Sequence, residues 1–147
     1  MLDYEQIVNF LRQHNERITI QRRLVIEALL NTQAHMTVND VNVYIRTQQD
    51  INPLAEPTIY RILQWLKDLN LVSQTDMADS GIVYQLIDNN KHHHLVCLDC
   101  KKITDVEDSL FDSIRKQLLS QHHFHARIDH MAIYGYCDAC LPDNYEK

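Results

Sequence analysis

The chain of 147 residues contains little glycine and little proline: two residues of the first kind and three of the second. Turn-rich all-β folds and unstructured linkers use many of both, so these two classes are disfavoured. No uninterrupted apolar stretch approaches the roughly 18 residues of a membrane-spanning helix. The first residues carry acid where a secretory signal carries base. We therefore expect a cytoplasmic protein that does not associate with membranes.

Positive charge is also scarce, and the formal net charge at neutral pH is −6. Residues 1–88 hold seven basic against eleven acidic side chains, and residues 89–147 hold seven against nine. Because neither half is basic, binding to nucleic acid would have to use a local group of arginines. Two features are abundant instead. The chain has nine histidines, and its four cysteines lie in two close pairs.

The order of predicted elements in the first part of the chain is that of a DNA-binding fold. Apolar residues at helical spacing predict helices near residues 3–14, 19–31, 37–45 and 57–67. Thr37 and Asp40 resemble a capping box for the third helix, and Pro57 suits the start of the fourth. Alternating residues then predict a β-hairpin with strands at 71–75 and 82–87. Helices followed by a hairpin are typical of a winged helix-turn-helix, in which the helix before the hairpin enters the major groove.

The second part of the chain is shorter and mixed. Strands are predicted at 94–98, 103–106 and 126–134, with a helix from Asp108 to about residue 122. An α+β module of about 55 residues is near the size at which a metal ion is often needed to complete the core. The fold class is therefore α+β, with a winged helix-turn-helix domain at 1–88, a small α+β domain at 89–147 and a hinge near 88–91.

The four cysteines form two C-x-x-C pairs, Cys97 with Cys100 and Cys137 with Cys140. Four thiolates from two such pairs complete a tetrahedral Zn²⁺ site and leave no coordination position for a substrate. Two disulfides or a thioredoxin-like redox pair are the alternatives. A reducing cytoplasm disfavours the first, and no βαβ pattern surrounds either pair to support the second. The spacing therefore predicts a structural zinc site.

Three consecutive histidines, His92, His93 and His94, come just before the first cysteine pair. Alternate residues of a strand share a face, so His92 and His94 are predicted to converge while His93 points away. Two convergent imidazoles are half of a transition-metal site. The alternative is an exposed polar run at a domain junction, but the neighbouring zinc pair favours the metal interpretation.

The predicted reading helix carries Thr58, Tyr60 and Arg61. A tyrosine ring can contact a thymine methyl group, and an arginine can reach guanine or phosphate. Arg17 and Arg22 lie near the start of the second helix, where they would clamp the DNA backbone. A tyrosine–arginine pair on a helix is more often plain surface, but this helix directly precedes a hairpin, which favours the DNA interpretation.

Five segments, in this order, resemble the ferric uptake regulator family, the metal-dependent bacterial repressors that include zinc, peroxide, manganese and nickel sensors. They are residues 17–22, 34–37, 58–63, 92–100 and 134–140, and the resemblance covers nearly the whole chain. It implies a winged-helix DNA-binding domain and a C-terminal α+β dimerisation domain. It also implies a homodimer that binds a palindromic operator and represses metal-homeostasis genes for iron or zinc uptake.

The resemblance also implies metal ligands. The four cysteines match the family's structural zinc site, and a regulatory metal is expected at His35, His92, His94 and Asp105. Family members often add an acid or a cysteine near the second wing strand, where this chain offers only Gln85. Asp76 or Asp79 would substitute, or the site has four ligands. The regulatory ion is expected to be Fe²⁺ or Zn²⁺, with Mn²⁺ as a third candidate, because the donor set suits all three.

A second regulatory site found in some members is matched by His93, Asp112 and His130, although His130 stands one residue out of the usual register. A peroxide sensor of the same family, in which peroxide oxidises a ligating histidine in a reaction catalysed by bound Fe²⁺, is the alternative function. Asp105 in place of Glu fits that alternative, and the missing acid near Gln85 argues against it.

A zinc hydrolase would need an open metal position and a general base, and no H-E-x-x-H motif is present. We therefore expect neither an enzyme nor a small-molecule substrate.

Overall fold

The structure is a computed structural model that describes residues 3–32, 35–48, 52–77, 81–87, 92–142 and 145. The chain divides into two compact units. The first comprises Met1–Gln74 with Ile82–Asn90, and the second comprises Thr75–Gly81 with Lys91–Lys147. Residues 75–81 of the hairpin therefore group with the second unit, whereas the predicted hinge at 88–91 lies outside the described residues. None of the helices in the described ranges is long and apolar enough to cross a membrane.

The first unit contains the helices α1 (Tyr4–Gln13), α2 (Ile20–Thr32), α3 (Val38–Gln48) and α4 (Glu56–Asp68). The predicted capping box of α3 is confirmed. The backbone N–H of Asp40 donates to Thr37 Oγ1 over 3.1 Å, and the N–H of Thr37 donates to Asp40 Oδ2 over 2.9 Å. This exchange satisfies N–H groups that have no partner inside the helix.

Core packing fixes which side of α4 faces solvent. The helix buries Ile59, Ile62, Leu63 and Leu66 against apolar side chains of the other three helices. Burial of such a side chain contributes about 1.5–3 kcal/mol, so the rotation of the helix is strongly determined. Tyr60 and Arg61 are consequently exposed.

A hairpin of β1 (Val72–Asp76) and β2 (Ile82–Leu86) follows α4. Asn70 adopts a φ of +60° between α4 and β1, a conformation that asparagine tolerates better than most residues. Met36 forms an antiparallel bridge with Tyr84 of β2, with N–H···O distances of 3.0 and 2.8 Å. The bridge ties the segment that carries His35 to the hairpin.

The second unit contains β3 (His92–Cys97), β4 (Ile103–Glu107), α5 (Asp112–His122) and β5 (Ala132–Gly135). The central strand β3 pairs antiparallel with β4 and parallel with β5. A 3₁₀ turn at Asp108–Phe111 precedes α5, so the α-helix begins later than predicted. The last strand is also shorter than predicted, because its pairing with β3 begins only at Ala132.

Candidate metal centres and DNA-binding surface

The second unit brings the four cysteines together. The parallel register of β3 and β5 pairs Cys97 with Gly135, so both C-x-x-C pairs follow the same end of the sheet. All four Sγ atoms lie within 4.8 Å of one another, and those of Cys100 and Cys137 are 3.8 Å apart. All four cysteines are free thiols. Four convergent free sulfurs are the donor set of a closed tetrahedral zinc site.

Backbone N–H groups favour the thiolate form at one corner of this cysteine cluster. The N–H of Cys137 donates to Cys97 Sγ over 3.5 Å. Together with the N–H groups of Cys100 and Asp99, it lowers the pKa of Cys97 to about 6. The pKa of Cys140 is raised, because Asp99 and the neighbouring thiols hold its proton. A divalent cation at the centre would stabilise all four as thiolates, so these residues fit Zn²⁺.

Three histidines of the second unit, His92, His94 and His130, form a second centre that we name the histidine cluster. The ring centroid of His92 lies 5.0 Å from those of the other two, which are 4.6 Å apart. One nitrogen of each ring lies within 4.8 Å of the others. The predicted convergence of His92 and His94 is confirmed. His130 joins them because the segment before β5 runs beside β3, where the N–H of His94 donates to the carbonyl of Met131.

Asp105 holds His94 from the side of the ring that faces away from His130. It lies opposite His94 in the register of β3 and β4, and its Oδ1 is 2.7 Å from His94 Nδ1. The other nitrogen, Nε2, is 2.6 Å from Nε2 of His130. Burial lowers the pKa of His94, against the opposing effect of Asp105, which favours the neutral imidazole that binds metals. The structure thus places Asp105 against Nδ1 of His94 and not among the convergent nitrogens of the histidine cluster.

His93 points to the opposite face, as the alternation predicted. It is fully buried and its ring centroid lies 4.3 Å from that of Phe111. Its Nε2 donates to Asp108 Oδ1 over 2.9 Å, and the Arg115 guanidinium donates to the same oxygen. Arg115 and then His93 lower the pKa of Asp108 by favouring its carboxylate form.

The residues predicted for a second metal site are therefore separated. Within the described ranges, His93 pairs with Asp108, Asp112 accepts a hydrogen bond from Arg115 at 3.2 Å, and His130 lies in the histidine cluster. The physical reason is that Arg115 supplies the positive charge beside these acids that a metal ion would otherwise supply.

His35 belongs to the first unit, where it directly precedes the bridge from Met36 to Tyr84. Its role as a metal ligand stays a prediction. Of the acids suggested as substitutes near Gln85, Asp76 accepts a hydrogen bond at its backbone oxygen from the Tyr134 hydroxyl, and Asp79 lies outside the described residues.

The residues predicted to bind DNA lie on the exposed side of the first unit. Arg17, Arg22, Thr58 and Arg61 line one shallow pocket, where the segment before α2 meets the first turns of α4. Arg17 and Arg61 are exposed, and Arg61 Nη2 lies 3.4 Å from Thr58 Oγ1. Tyr60, 48% exposed, projects from the same helix.

Arg22 has a different environment from the other arginines of this pocket. Its Nη1 donates to the carbonyl of Arg17 over 2.6 Å and to Glu16 over 3.3 Å. Its guanidinium carbon lies 3.6 Å from the ring centroid of Trp65, a cation–π contact. Arg22 therefore fixes the backbone that presents Arg17.

The second unit leaves a large amount of apolar surface exposed. Side chains that are more than a third exposed occur on β3, β4, β5 and α5, namely Leu95, Ile103, Ile114, Leu119, Ile133 and Tyr134. Helix α5 has no buried residue. Leu95 and Ile133 are paired in the β3–β5 register, so they form one exposed apolar face of the sheet, and such a face is a candidate interaction site.

Sequence reasoning missed two residues that position candidate ligands, Thr75 and Asp108, and it assigned His130 to a different group. Thr75 Oγ1 lies 2.6 Å from His130 Nδ1, but threonine is common in strands and gave no signal of this contact. Asp108 resembled a helix cap. The odd register of His130 was a usable signal, because a parallel β3–β5 pair brings it toward His94.

A winged-helix unit together with a small α+β unit that carries cysteine and histidine clusters is the architecture of a metal-responsive transcription regulator. The model of the Ferric uptake regulator family matches residues 13–134, and the chain belongs to this family. The peroxide-responsive repressor of Staphylococcus aureus is 30% identical over 140 residues, which are 94% of this chain and 91% of that protein.

Two solved structures share the fold. The ferric uptake regulator from Pseudomonas aeruginosa with manganese has a TM-score of 0.68 at 22% identity, over 87% of this chain and 95% of that one. A zinc uptake regulator complexed with zinc and DNA has a TM-score of 0.56 at 20% identity, over 92% of this chain and 90% of that one.

Proposed function

We propose that this chain is a metal-dependent repressor that binds operator DNA as a homodimer in the cytoplasm and controls metal-homeostasis genes, without catalytic activity. One observation carries the proposal. This chain, a member of the family, has two separate groups of metal-binding side chains in its second unit, one of four cysteines and one of three histidines. The closed sulfur group suits a structural Zn²⁺. Imidazoles suit an exchangeable Fe²⁺ or Zn²⁺, with Mn²⁺ as the third candidate.

Regulation would follow from ligands that both units contribute. His35 belongs to the first unit, and His92 and His94 belong to the second. Shared coordination by these residues would favour the arrangement in which the dimer fits its operator. The free energy of this coupling is proportional to the logarithm of the ratio of metal affinities in the two arrangements, and it acts equally on metal and on DNA binding.

The exposed side of α4 is the proposed reading surface. Two copies of α4 in a homodimer would enter successive major grooves of a palindrome. Arg17 would neutralise phosphates locally and Arg61 would reach guanine or phosphate, so a net negative charge does not exclude binding.

We expect Tyr60→Ala and Arg61→Ala each to weaken operator binding about tenfold, because one base contact is worth about 1–3 kcal/mol. Metal affinity and dimerisation should not change. The measurement is fluorescence anisotropy with an operator selected from random duplexes.

Lys67→Ala is the matched control, because Lys67 is an exposed cation on the same helix whose Nζ is bound to Gln74 at 2.8 Å. Arg22→Ala should instead lower the melting temperature of the first unit. Wild-type affinity in both the Tyr60 and Arg61 variants would place the reading surface elsewhere.

The face of the second unit's sheet that carries Leu95 and Ile133 is proposed to form the dimer interface. Leu95 and Ile133 are paired in the β3–β5 register, so they lie on one face. Ile133→Glu should convert the dimer to monomer in sedimentation experiments, because a charge buried in an apolar interface costs several kcal/mol. Ile20→Glu, at a 76% exposed position of the first unit, should leave the dimer intact. A dimeric Ile133→Glu variant would exclude this face.

The proposed function is tested by DNA binding across a metal series. Protein that retains its cysteine-bound zinc is titrated with selected operator in chelator-treated buffer, and then with Zn²⁺, Mn²⁺ or anaerobic Fe²⁺. At least one of these ions should raise operator affinity by a factor within about 5–150, the usual range of allosteric coupling. Equal affinity with and without every ion would refute the proposal.

Peroxide sensing is the second candidate, favoured by the 30% identity with a peroxide-responsive repressor. After peroxide treatment of the Fe²⁺-loaded protein, mass spectrometry should then show one added oxygen atom on His35 or His92, with loss of operator binding. An unmodified protein that keeps its affinity would leave metal sensing as the function.

A further inference from the structure

We infer that His130 takes the place of the missing carboxylate ligand in the regulatory site, and that Asp105 and Thr75 orient the coordinating imidazoles without binding the metal themselves. The inference rests on the proposed function in one respect, that a divalent ion binds in the second unit. Its structural basis is a set of hydrogen bonds among Thr75, His130, His94 and Asp105, together with the ring contacts of His92, and all five residues belong to this unit.

Thr75 determines which nitrogen of His130 faces the cluster. Its hydroxyl group is buried. The Oγ1–H donates to the backbone oxygen of His130 over 3.1 Å, and Oγ1 lies 2.6 Å from His130 Nδ1. Because Thr75 engages Nδ1, Nε2 is the nitrogen of His130 that a metal ion would bind.

Asp105 has the same effect on His94. A carboxylate only accepts hydrogen bonds, so the 2.7 Å contact requires a proton on His94 Nδ1. Nε2 of His94 therefore faces the cluster, and it lies 2.6 Å from Nε2 of His130. A cation bound by both nitrogens would take the place of the proton that they share in this contact. The cluster therefore fits a metal ion.

The third imidazole completes the second unit's contribution to the site. His92 lies edge-on to both other rings, with centroids 5.0 Å away. The arrangement of Asp105 behind His94 and Thr75 behind His130 is the usual way in which proteins hold metal-binding imidazoles. All three donors are imidazole nitrogens, which suit Zn²⁺, Fe²⁺ or Co²⁺ better than the oxygen-preferring Mn²⁺.

The test is a Co²⁺ titration of the full-length, zinc-retaining protein, followed by visible absorption and equilibrium dialysis. His130→Ala should lower Co²⁺ affinity by about a hundredfold and change the absorption bands, because a ligand is lost. Thr75→Val and Asp105→Ala should lower it by about tenfold with the bands unchanged, because only orientation is lost. His130→Asp should shift the ratio of Co²⁺ to Mn²⁺ affinity toward Mn²⁺ by about tenfold. His125→Ala, an exposed histidine, is the control.

Two results would overturn the inference: wild-type affinity and spectrum in His130→Ala, or altered bands in Asp105→Ala. If His130→Ala does not fold, as judged by circular dichroism and zinc content, Thr75→Val decides, and wild-type Co²⁺ affinity in that variant rejects the inference. The proposed function can be rejected independently of this metal site. A wild-type protein that binds Co²⁺ through His130 but shows no metal-dependent DNA binding would confirm the site and reject the regulator.

Discussion

Cys97→Ser should unfold the second unit and abolish dimerisation. The four sulfurs converge within 4.8 Å, while this unit leaves several large apolar side chains exposed and has no fully buried residue on α5. Its core alone is a weak source of stability, whereas zinc in such modules contributes roughly 10 kcal/mol or more. Zinc analysis, circular dichroism and sedimentation should show a metal-free, partly unfolded monomer, while the first unit keeps its helical signal.

Treatment with a chelator and treatment with a reductant distinguish between zinc and disulfides as the source of stability. Wild-type protein should stay folded and dimeric in a thiol reductant and lose both properties in a strong zinc chelator. Cys140→Ser should reproduce the Cys97→Ser defect, because a closed site needs all four ligands. A Cys97→Ser protein that remains dimeric and melts at the wild-type temperature would reject the structural zinc.

His35→Ala should uncouple DNA binding from the metal and leave the fold intact. His35 is the predicted ligand that comes from the first unit, while the predicted ligands His92 and His94 belong to the second. Driving a two-state system from mostly open to mostly closed requires about 5.5 kcal/mol of differential binding, and one lost metal–imidazole bond could remove most of it. Anisotropy titrations with Zn²⁺, Mn²⁺ and anaerobic Fe²⁺ should show a folded dimer that binds some metal but gains no operator affinity from it.

His14→Ala is the matched control for this variant. His14 is an exposed histidine of the first unit whose Nδ1 bonds to the carbonyl of Phe10 at 2.8 Å, so the control should respond to metal like wild type. If His35→Ala showed the wild-type gain, the histidine cluster would act within the second unit alone.

Local patterns were sufficient to predict most elements of the fold. The Thr37–Asp40 capping box, the apolar face of α4 and the strand alternation at His92–His94 each depend on neighbours within one element, and the structure confirms them. The end of the chain was less predictable. Alternation over 126–134 indicated a long strand, but a strand requires a pairing partner, and β3 pairs only with Ala132–Gly135.

The positions of the site residues were predictable where short sequence motifs supply them. The C-x-x-C pairs indicated a common site from spacing alone, and the four sulfurs converge. Asp105 was assigned as a ligand by resemblance, but which of its neighbours a carboxylate contacts depends on the register of β3 and β4, and that register places it on His94 Nδ1. The contact of Thr75 with His130 joins residues 55 positions apart, and no local pattern encodes it.

The most direct test of the account is whether operator DNA changes the affinity for metal. If metal and operator bias the same equilibrium, linkage requires equal and reciprocal effects. Metal affinity of the zinc-retaining dimer is measured by competition with a chromophoric chelator, first alone and then with saturating selected operator. We expect the operator to raise metal affinity by the factor by which the metal raises operator affinity. Identical metal affinity in both titrations would contradict it.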